Sequence, residues 1–310
     1  MKVVAALGGN ALARRGEPLS VSTQRAHVRD AARALAPIAR EHALVVTHGN
    51  GPQVGLLALQ ANAVSESREW PLDVLDAESE GLIGYLIEQE LARELPQREI
   101  ATLLTQVEVH RSDPAFLTPT KPIGPGYGAA EADRLTQTLG YRFARDGERW
   151  RRVVASPEPR RIRELGTIRL LLDAGVVVVC GGGGGIPVTV TASGGLEGVE
   201  AVIDKDLSAA LLADGLRADA LLLLTDVDAV YDGFGTDDPR PIRDATPEEL
   251  RARSYPPGSM GPKVEAACRF AAVTGRFAAI GALEQAAEVL AGAAGTRVCR
   301  RQGFRREAPC

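Results

Sequence analysis

Lysine occurs at only four positions of this 310-residue chain, Lys2, Lys121, Lys205 and Lys263, while the other 32 of its 36 basic residues are arginine. A guanidinium is a wide planar fork, whereas an ammonium is a compact mobile charge that fits between closely spaced oxygens. Lys121, Lys205 and Lys263 are therefore candidates for work that arginine cannot do; Lys2 simply follows the first methionine. Lys205 stands between two carboxylates in Asp204-Lys205-Asp206. Four loops follow apolar runs: Gly8-Gly9-Asn10, His48-Gly49-Asn50-Gly51-Pro52, Gly181 to Gly185, and Asp226-Val227-Asp228. Free backbone N–H groups in glycine loops bind phosphate or carboxylate.

Several chemistries are excluded by spacing. A Walker A loop needs glycine just before its lysine, and Lys121, Lys205 and Lys263 follow Thr120, Asp204 and Pro262. The one G-x-G-x-x-A match, Gly124 to Ala129, lies in a Pro-rich stretch without a preceding strand, so a dinucleotide fingerprint lacks its context. No G-x-S-x-G elbow is present. Four cysteines and four histidines form no metal-ligand spacing. A net charge of -4 gives no general attraction to nucleic acid or an anionic membrane, and the arginines at 297, 300, 301, 305 and 306 read as a solvated tail. What remains is phosphoryl transfer, which asks for charge neutralisation, alignment of donor and acceptor, and Mg2+ on nucleotide phosphates. An acceptor already anionic needs no general base, which points to a carboxylate-like acceptor.

The elements that must position these groups alternate. Strands are expected at 2–7, 43–47, 100–109, 175–180, 218–225 and 276–281, with helices at 22–40, 52–63, 77–95, 160–172, 207–216, 262–273 and 283–290. Leu82, Leu86 and Leu91 mark the apolar stripe of the third helix, and Thr246-Pro247-Glu248-Glu249 is a capping box. The pattern predicts a three-layer α/β/α sandwich with a mainly parallel central sheet. A Pro- and Gly-rich excursion at about 112–152 is expected to protrude as a small lid subdomain on a single domain, between an N-terminal half to 155 and a C-terminal half over 156–298, with a tail at 299–310. The N-terminal apolar run is too short for a signal peptide, and no stretch is long enough to span a membrane, so a cytoplasmic protein is expected.

Six segments together resemble the carbamate kinases of the amino acid kinase superfamily. They are Ala6 to Leu12, Thr47 to Gly55, Pro119 to Pro125, Gly198 to Asp206, Thr225 to Tyr231 and Gly258 to Glu265, in order along nearly the whole chain. The resemblance implies ATP + carbamate = ADP + carbamoyl phosphate, run toward ATP in arginine or purine catabolism, by a homodimer. It further implies that Lys121 is carried over the phosphates by the lid, that Lys205 and Lys263 flank the transferred group, and that Asp206 orients them or helps Mg2+. Gly8, Gly9, Asn10, Gly49, Asn50 and Gly51 would hold carbamate and the terminal phosphate. Asp226, Val227, Tyr231, Met260, Gly261 and Lys263 would line the nucleotide site. The chain departs from the pattern in a short 252–258 segment, in His110 and in Gly126. A same-fold kinase for another small carboxylate or phosphonate, or a silent nucleotide-binding regulator, is the alternative; the first would more often carry a lysine at position 6, which is Ala6, and the second would lack one of the three lysines.

Overall fold

The computed structural model describes residues 1–12, 17, 20–64, 70–236, 238–256 and 258–300; Pro257, the tail from Arg301 to Cys310 and the side chain of Asn10 lie outside the described residues. Eight strands form the central sheet, in the order Asp244–Ala245, Thr296–Val298, Phe277–Ala282, Ala220–Thr225, Lys2–Leu7, Ala43–His48, Val177–Cys180 and Ile100–Leu103. Every pairing is parallel except that of Thr296–Val298 with Phe277–Ala282. A parallel sheet is covered on both faces, and its side chains alternate between two cores. Val4, Ala6, Val45, Leu221 and Leu223 face one of them, closed by the helices Lys205–Gly215 and Met260–Thr274. Val3, Ala5, Leu7, Val46 and Leu222 face the other, closed by Val21–Glu41 and Leu72–Glu94. The architecture is the α/β/α sandwich of the sequence pattern.

Three elements differ from expectation. The run 100–109 is two strands, Ile100–Leu103 in the central sheet and Gln106–Glu108 in a separate four-stranded sheet with Leu196–Gly198, Ile186–Val190 and Arg161–Ile162. The break comes where the Thr105 N–H leaves the ladder to donate to Glu80 Oε2 at 3.1 Å. Arg161–Ile162 is therefore strand, and the helix expected there starts at Leu165. The third long helix runs Leu72–Glu94, beginning well before residue 77. Its first turns bury Asp76, Ser79 and Glu80, and these polar residues interrupt the apolar periodicity that would have revealed it. Leu82 is exposed, while Leu86 and Leu91 are buried. The capping box forms: Thr246 Oγ1 accepts from the Glu249 N–H and the Glu249 carboxylate from the Thr246 N–H.

Within the Pro- and Gly-rich excursion, Lys121–Tyr127, Arg149–Val154 and Arg142–Asp146 form an antiparallel sheet that carries the helix Ala129–Leu139. Pro122 and Pro125 are tolerated because Lys121–Tyr127 is an edge strand, and its register shifts between Ile123 and Gly126. Gly124 in that irregularity has φ +68. This edge rests on the helix Gly51–Val64 through glycine: a Cβ on Gly55 would lie 2.0 Å from Gly124 Cα and 2.3 Å from Gly124 N. Gly55→Ala must therefore push the strand off the helix, with a cost of roughly 1–3 kcal/mol. Its urea midpoint should fall, whereas Gly128→Ala, where a Cβ meets nothing within 4 Å, should keep it. Equal midpoints for the two variants would show that the contact yields freely.

Candidate active site

The carboxyl ends of Lys2–Leu7, Ala43–His48 and Ala220–Thr225 point the same way, so their loops share one edge, where open α/β sheets bind ligands. A cavity of about 700 Å³ opens there. It is lined by Gly8, Gly9, Gly49, Asn50, Gly51, Lys121, Lys205, Asp206, Asp226, Val227, Tyr231, Met260 and Lys263, which unites nearly all the residues expected to act. Gly261 does not line it; its N–H donates to Pro256 O at 3.1 Å and fixes the turn into Met260–Thr274. Asn10 lies in the one-turn helix Gly9–Leu12. A Cβ on Gly9 or Gly51 would meet nothing within 4 Å, while one on Gly49 would lie 3.2 Å from Gly9 Cα. The two loops thus touch through backbone and leave open space on their outer side.

The floor is built on the N-terminus of Lys205–Gly215. Asp204 caps this helix, its Oδ1 accepting from the N–H groups of Asp206 (3.0 Å) and Leu207 (3.3 Å). Its Oδ2 pairs with Lys121 Nζ at 3.0 Å, reaching across from the three-stranded excursion. Within the first turn, Asp206 is 4% exposed and takes Lys205 Nζ on Oδ1 at 2.5 Å and Lys263 Nζ on Oδ2 at 2.9 Å. Burial would raise the Asp206 carboxyl, but the two ammoniums outweigh it and hold it far below the usual range. Burial is the largest influence on Lys205 and brings it down to about 8, helped by the neighbouring charge of Lys263. For Lys263 burial is outweighed by Asp206, and the ammonium is held above its ordinary value. Two ammoniums are thus fixed side by side with both Asp206 oxygens already engaged.

His48, the histidine nearest the floor, is fully buried and donates from Nδ1 to Gly49 O at 3.2 Å. Burial, with the Lys205 charge, lowers it to about 4, so it stays neutral near pH 7.

The run Gly181 to Gly185 is less an anion cradle than a place where side chains press on backbone. The Gly181 N–H goes to Thr105 Oγ1 (2.9 Å) and the Gly182 N–H to Glu80 Oε1 (2.8 Å). A Cβ on Gly182 would lie 2.3 Å from His48 Cε1, and one on Gly183 2.1 Å from Asn50 Nδ2. Of the run only Gly183 lines the cavity. Burial raises Glu80 to about 8 against the hydrogen bonds from Thr105 and Gly182. Sequence reasoning missed Phe234, Arg253 and Tyr255, which also line the cavity from irregular segments that carry no periodic signal. Tyr231, expected to line the nucleotide site, is half-buried with its hydroxyl donating to Asp228 Oδ1 at 2.8 Å.

The model of the amino acid kinase family matches residues 1–280. A carbamate kinase of Rhizobium meliloti is 58% identical over 91% of this chain and 88% of its own length. One from Haemophilus influenzae is 50% identical over 97% of each chain. The carbamate kinase of Giardia lamblia, solved bound to AMP-PNP, superposes with a TM-score of 0.87 at 40% identity, covering 96% of this chain and 98% of that one.

With only four lysines in the chain, the charge on Lys205 can be followed directly by NMR of lysine side chains, assigned with Lys205→Arg. One ammonium should titrate near 8, losing its charge as pH rises through that value. Asp206→Asn removes the attraction that opposes burial and should move the midpoint lower still. An ordinary lysine midpoint for Lys205 would show that burial does not govern it.

Proposed function

The chain belongs to the amino acid kinase family and, within it, to the carbamate kinases, and from that premise we propose how its own residues transfer a phosphoryl group between ATP and carbamate. The observation that carries the reading is the pair of buried ammoniums, Lys205 and Lys263, clamped on Asp206 and faced across the cavity by Lys121. Charge on the moving phosphoryl group spreads over its equatorial oxygens, and preorganised cations at those oxygens lower the barrier. Carbamate is already an anion, so a site whose one nearby imidazole is locked neutral has all the acid–base equipment it requires.

Lys205 and Lys263 hold the transferred group from the floor. Lys121, now on Asp204, turns to the phosphates from above. Gly8, Gly9, Asn10, Gly49, Asn50 and Gly51 receive carbamate and the terminal phosphate, and Asp226, Val227, Tyr231 and Met260 receive the nucleotide. Mg2+ arrives with the nucleotide as part of that substrate. Since both Asp206 oxygens hold ammoniums, we assign the ion to the nucleotide phosphates and give Asp206 the task of positioning the lysines. Lys263→Ala or Lys205→Ala should lower kcat for ATP formation from ADP and carbamoyl phosphate by roughly 10²–10³, the usual cost of one preorganised transition-state donor. Lys121→Arg should not restore activity, because the wider guanidinium cannot replace a compact ammonium. Turnover within a few-fold of wild type in these folded variants would remove the assignment, and no ATP from wild type would remove the reaction.

We assign the protein to the cytoplasm, in keeping with its buried free thiols at Cys180, Cys268 and Cys299. No described helix is long and apolar enough to cross a membrane. We also propose a homodimer. Val74, Leu82 and Tyr85 fall on one side of the helix Leu72–Glu94 and are exposed, and Leu104, also exposed, approaches Gly81 between them. A second copy that covers this stripe explains four apolar side chains left in water. Tyr85→Glu should give a monomer by light scattering with the wild-type circular dichroism spectrum; an unchanged dimer mass would place the interface elsewhere.

A further inference from the structure

The amide of Asn50 is one of the few side-chain groups at the acceptor end of the cavity, and its orientation is dictated from behind. Its Nδ2 donates to Asp76 Oδ1 and to Ser79 Oγ, both at 2.8 Å. Ser79 cannot donate in return, because its hydroxyl proton goes to the Asp76 carbonyl oxygen at 3.0 Å. Asp76 Oδ1 and Ser79 Oγ are thus two acceptors that together consume both hydrogens of the amide nitrogen. Gly183 supports the flat face of the amide at a distance no side chain would allow. The flipped amide would set Asn50 Oδ1 against Ser79 Oγ, whose proton is committed elsewhere, and would forgo the amide N–H that holds the Asp76 carboxyl down against the upward pull of its burial, so it is disfavoured. The one uncommitted atom of the amide is Oδ1, an acceptor, on a residue that lines the cavity beside Gly49 and Gly51. It finds no donor among the described residues.

Resting on the carbamate kinase reading above, we infer that Asp76 and Ser79 are positioning residues that aim the Asn50 carbonyl oxygen at the acceptor, and so select an acceptor bearing N–H. Carbamate and carbamoyl phosphate carry an NH2 group on the carbonyl carbon; acetate and acetyl phosphate have nearly the same shape with a methyl group there. An acceptor atom in a buried site stays unpaired when the methyl analogue binds, and a site built to hydrogen-bond a substrate rejects the analogue that lacks the group far better than a site relying on shape. The backbone N–H groups of the glycine loops see phosphate and carboxylate oxygens alike in both compounds, so they cannot make this distinction. Asp76 and Ser79 sit on Leu72–Glu94, behind Asn50 as seen from the cavity, and neither lines it. They act through Asn50 alone.

The test is the ratio of kcat/KM for carbamoyl phosphate to that for acetyl phosphate, measured as ATP formed from ADP, in wild type, Asp76→Asn and Ser79→Ala. Asn at 76 can present its own NH2 to Asn50, allowing the Asn50 amide to turn and offer nitrogen to the acceptor. The ratio should fall at least ~10-fold in Asp76→Asn and a few-fold in Ser79→Ala, with KM for ADP unchanged in both. A general loosening of the site would instead reduce both substrates in proportion, and a constant ratio in the two folded variants overturns the inference. Should Asp76→Asn not fold, Ser79→Ala decides, because it removes one acceptor and keeps the carboxylate. A wild type that makes no ATP from carbamoyl phosphate overturns the underlying reading as well. One that makes it, with ratios unmoved in the variants, overturns only the selection.

Discussion

Two lysine ammoniums meeting on one buried carboxylate is the arrangement around which the rest of the site is placed. Without Asp206, Lys205 and Lys263 would confront each other at low dielectric, and one would shed its proton. With it, the group is a net single positive charge that has already met the cost of its own desolvation. Asp206 can hold that place because it falls in the first turn of Lys205–Gly215, where the helix N-terminus favours a negative charge, and because Asp204 has already capped the turn. The positions of both lysines then follow from two helix starts, Lys205–Gly215 and Met260–Thr274, whose packing against each other closes one of the two cores. The geometry of the charge cluster is thereby tied to the apolar interior.

How much of this could be read beforehand depended on whether chemistry and periodicity agreed. The buried strands were legible because Val3 to Leu7, Val45, Val46 and Leu221 to Leu224 are apolar on both faces, as a parallel sheet demands. Lys121, Lys205 and Lys263 were legible because arginine fills nearly every other basic position. The start of Leu72–Glu94 was not, because its buried side carries Asp76, Ser79 and Glu80, which serve the site at the expense of the amphipathic pattern. The split of 100–109 between two sheets was hidden for the same reason, since the turn at Thr105 is fixed by Glu80 from a distant part of the chain. The misread features cluster behind the cavity, where local sequence rules give way to function.

The glycines make a similar point with opposite sign. Gly181 to Gly185 looks from sequence like Gly8-Gly9, yet most of its N–H groups are turned inward and its lack of side chains gives room to His48 and Asn50. Gly9 and Gly51 border open space, whereas Gly55 and Gly124 are a bare contact between two backbones. Three uses of the same residue, namely ligand room, side-chain room and backbone contact, are indistinguishable in a string of letters. They separate only when the neighbours of the missing Cβ are known.

The pairing of Lys121 with Asp204 has a bearing on the ionic background in which such a protein operates. Asp204 is an anion tethered 3.0 Å from the lysine at a partly exposed position, and any ligand that recruits Lys121 must displace it. Chloride or a lone carboxylate brings a single charge to a contest with a competitor of high effective concentration. A nucleotide polyphosphate brings several charges at once. The resting salt bridge therefore acts as a threshold on ligand valence, keeping the third ammonium out of reach of the small monovalent anions that surround every protein in far greater number than its substrates.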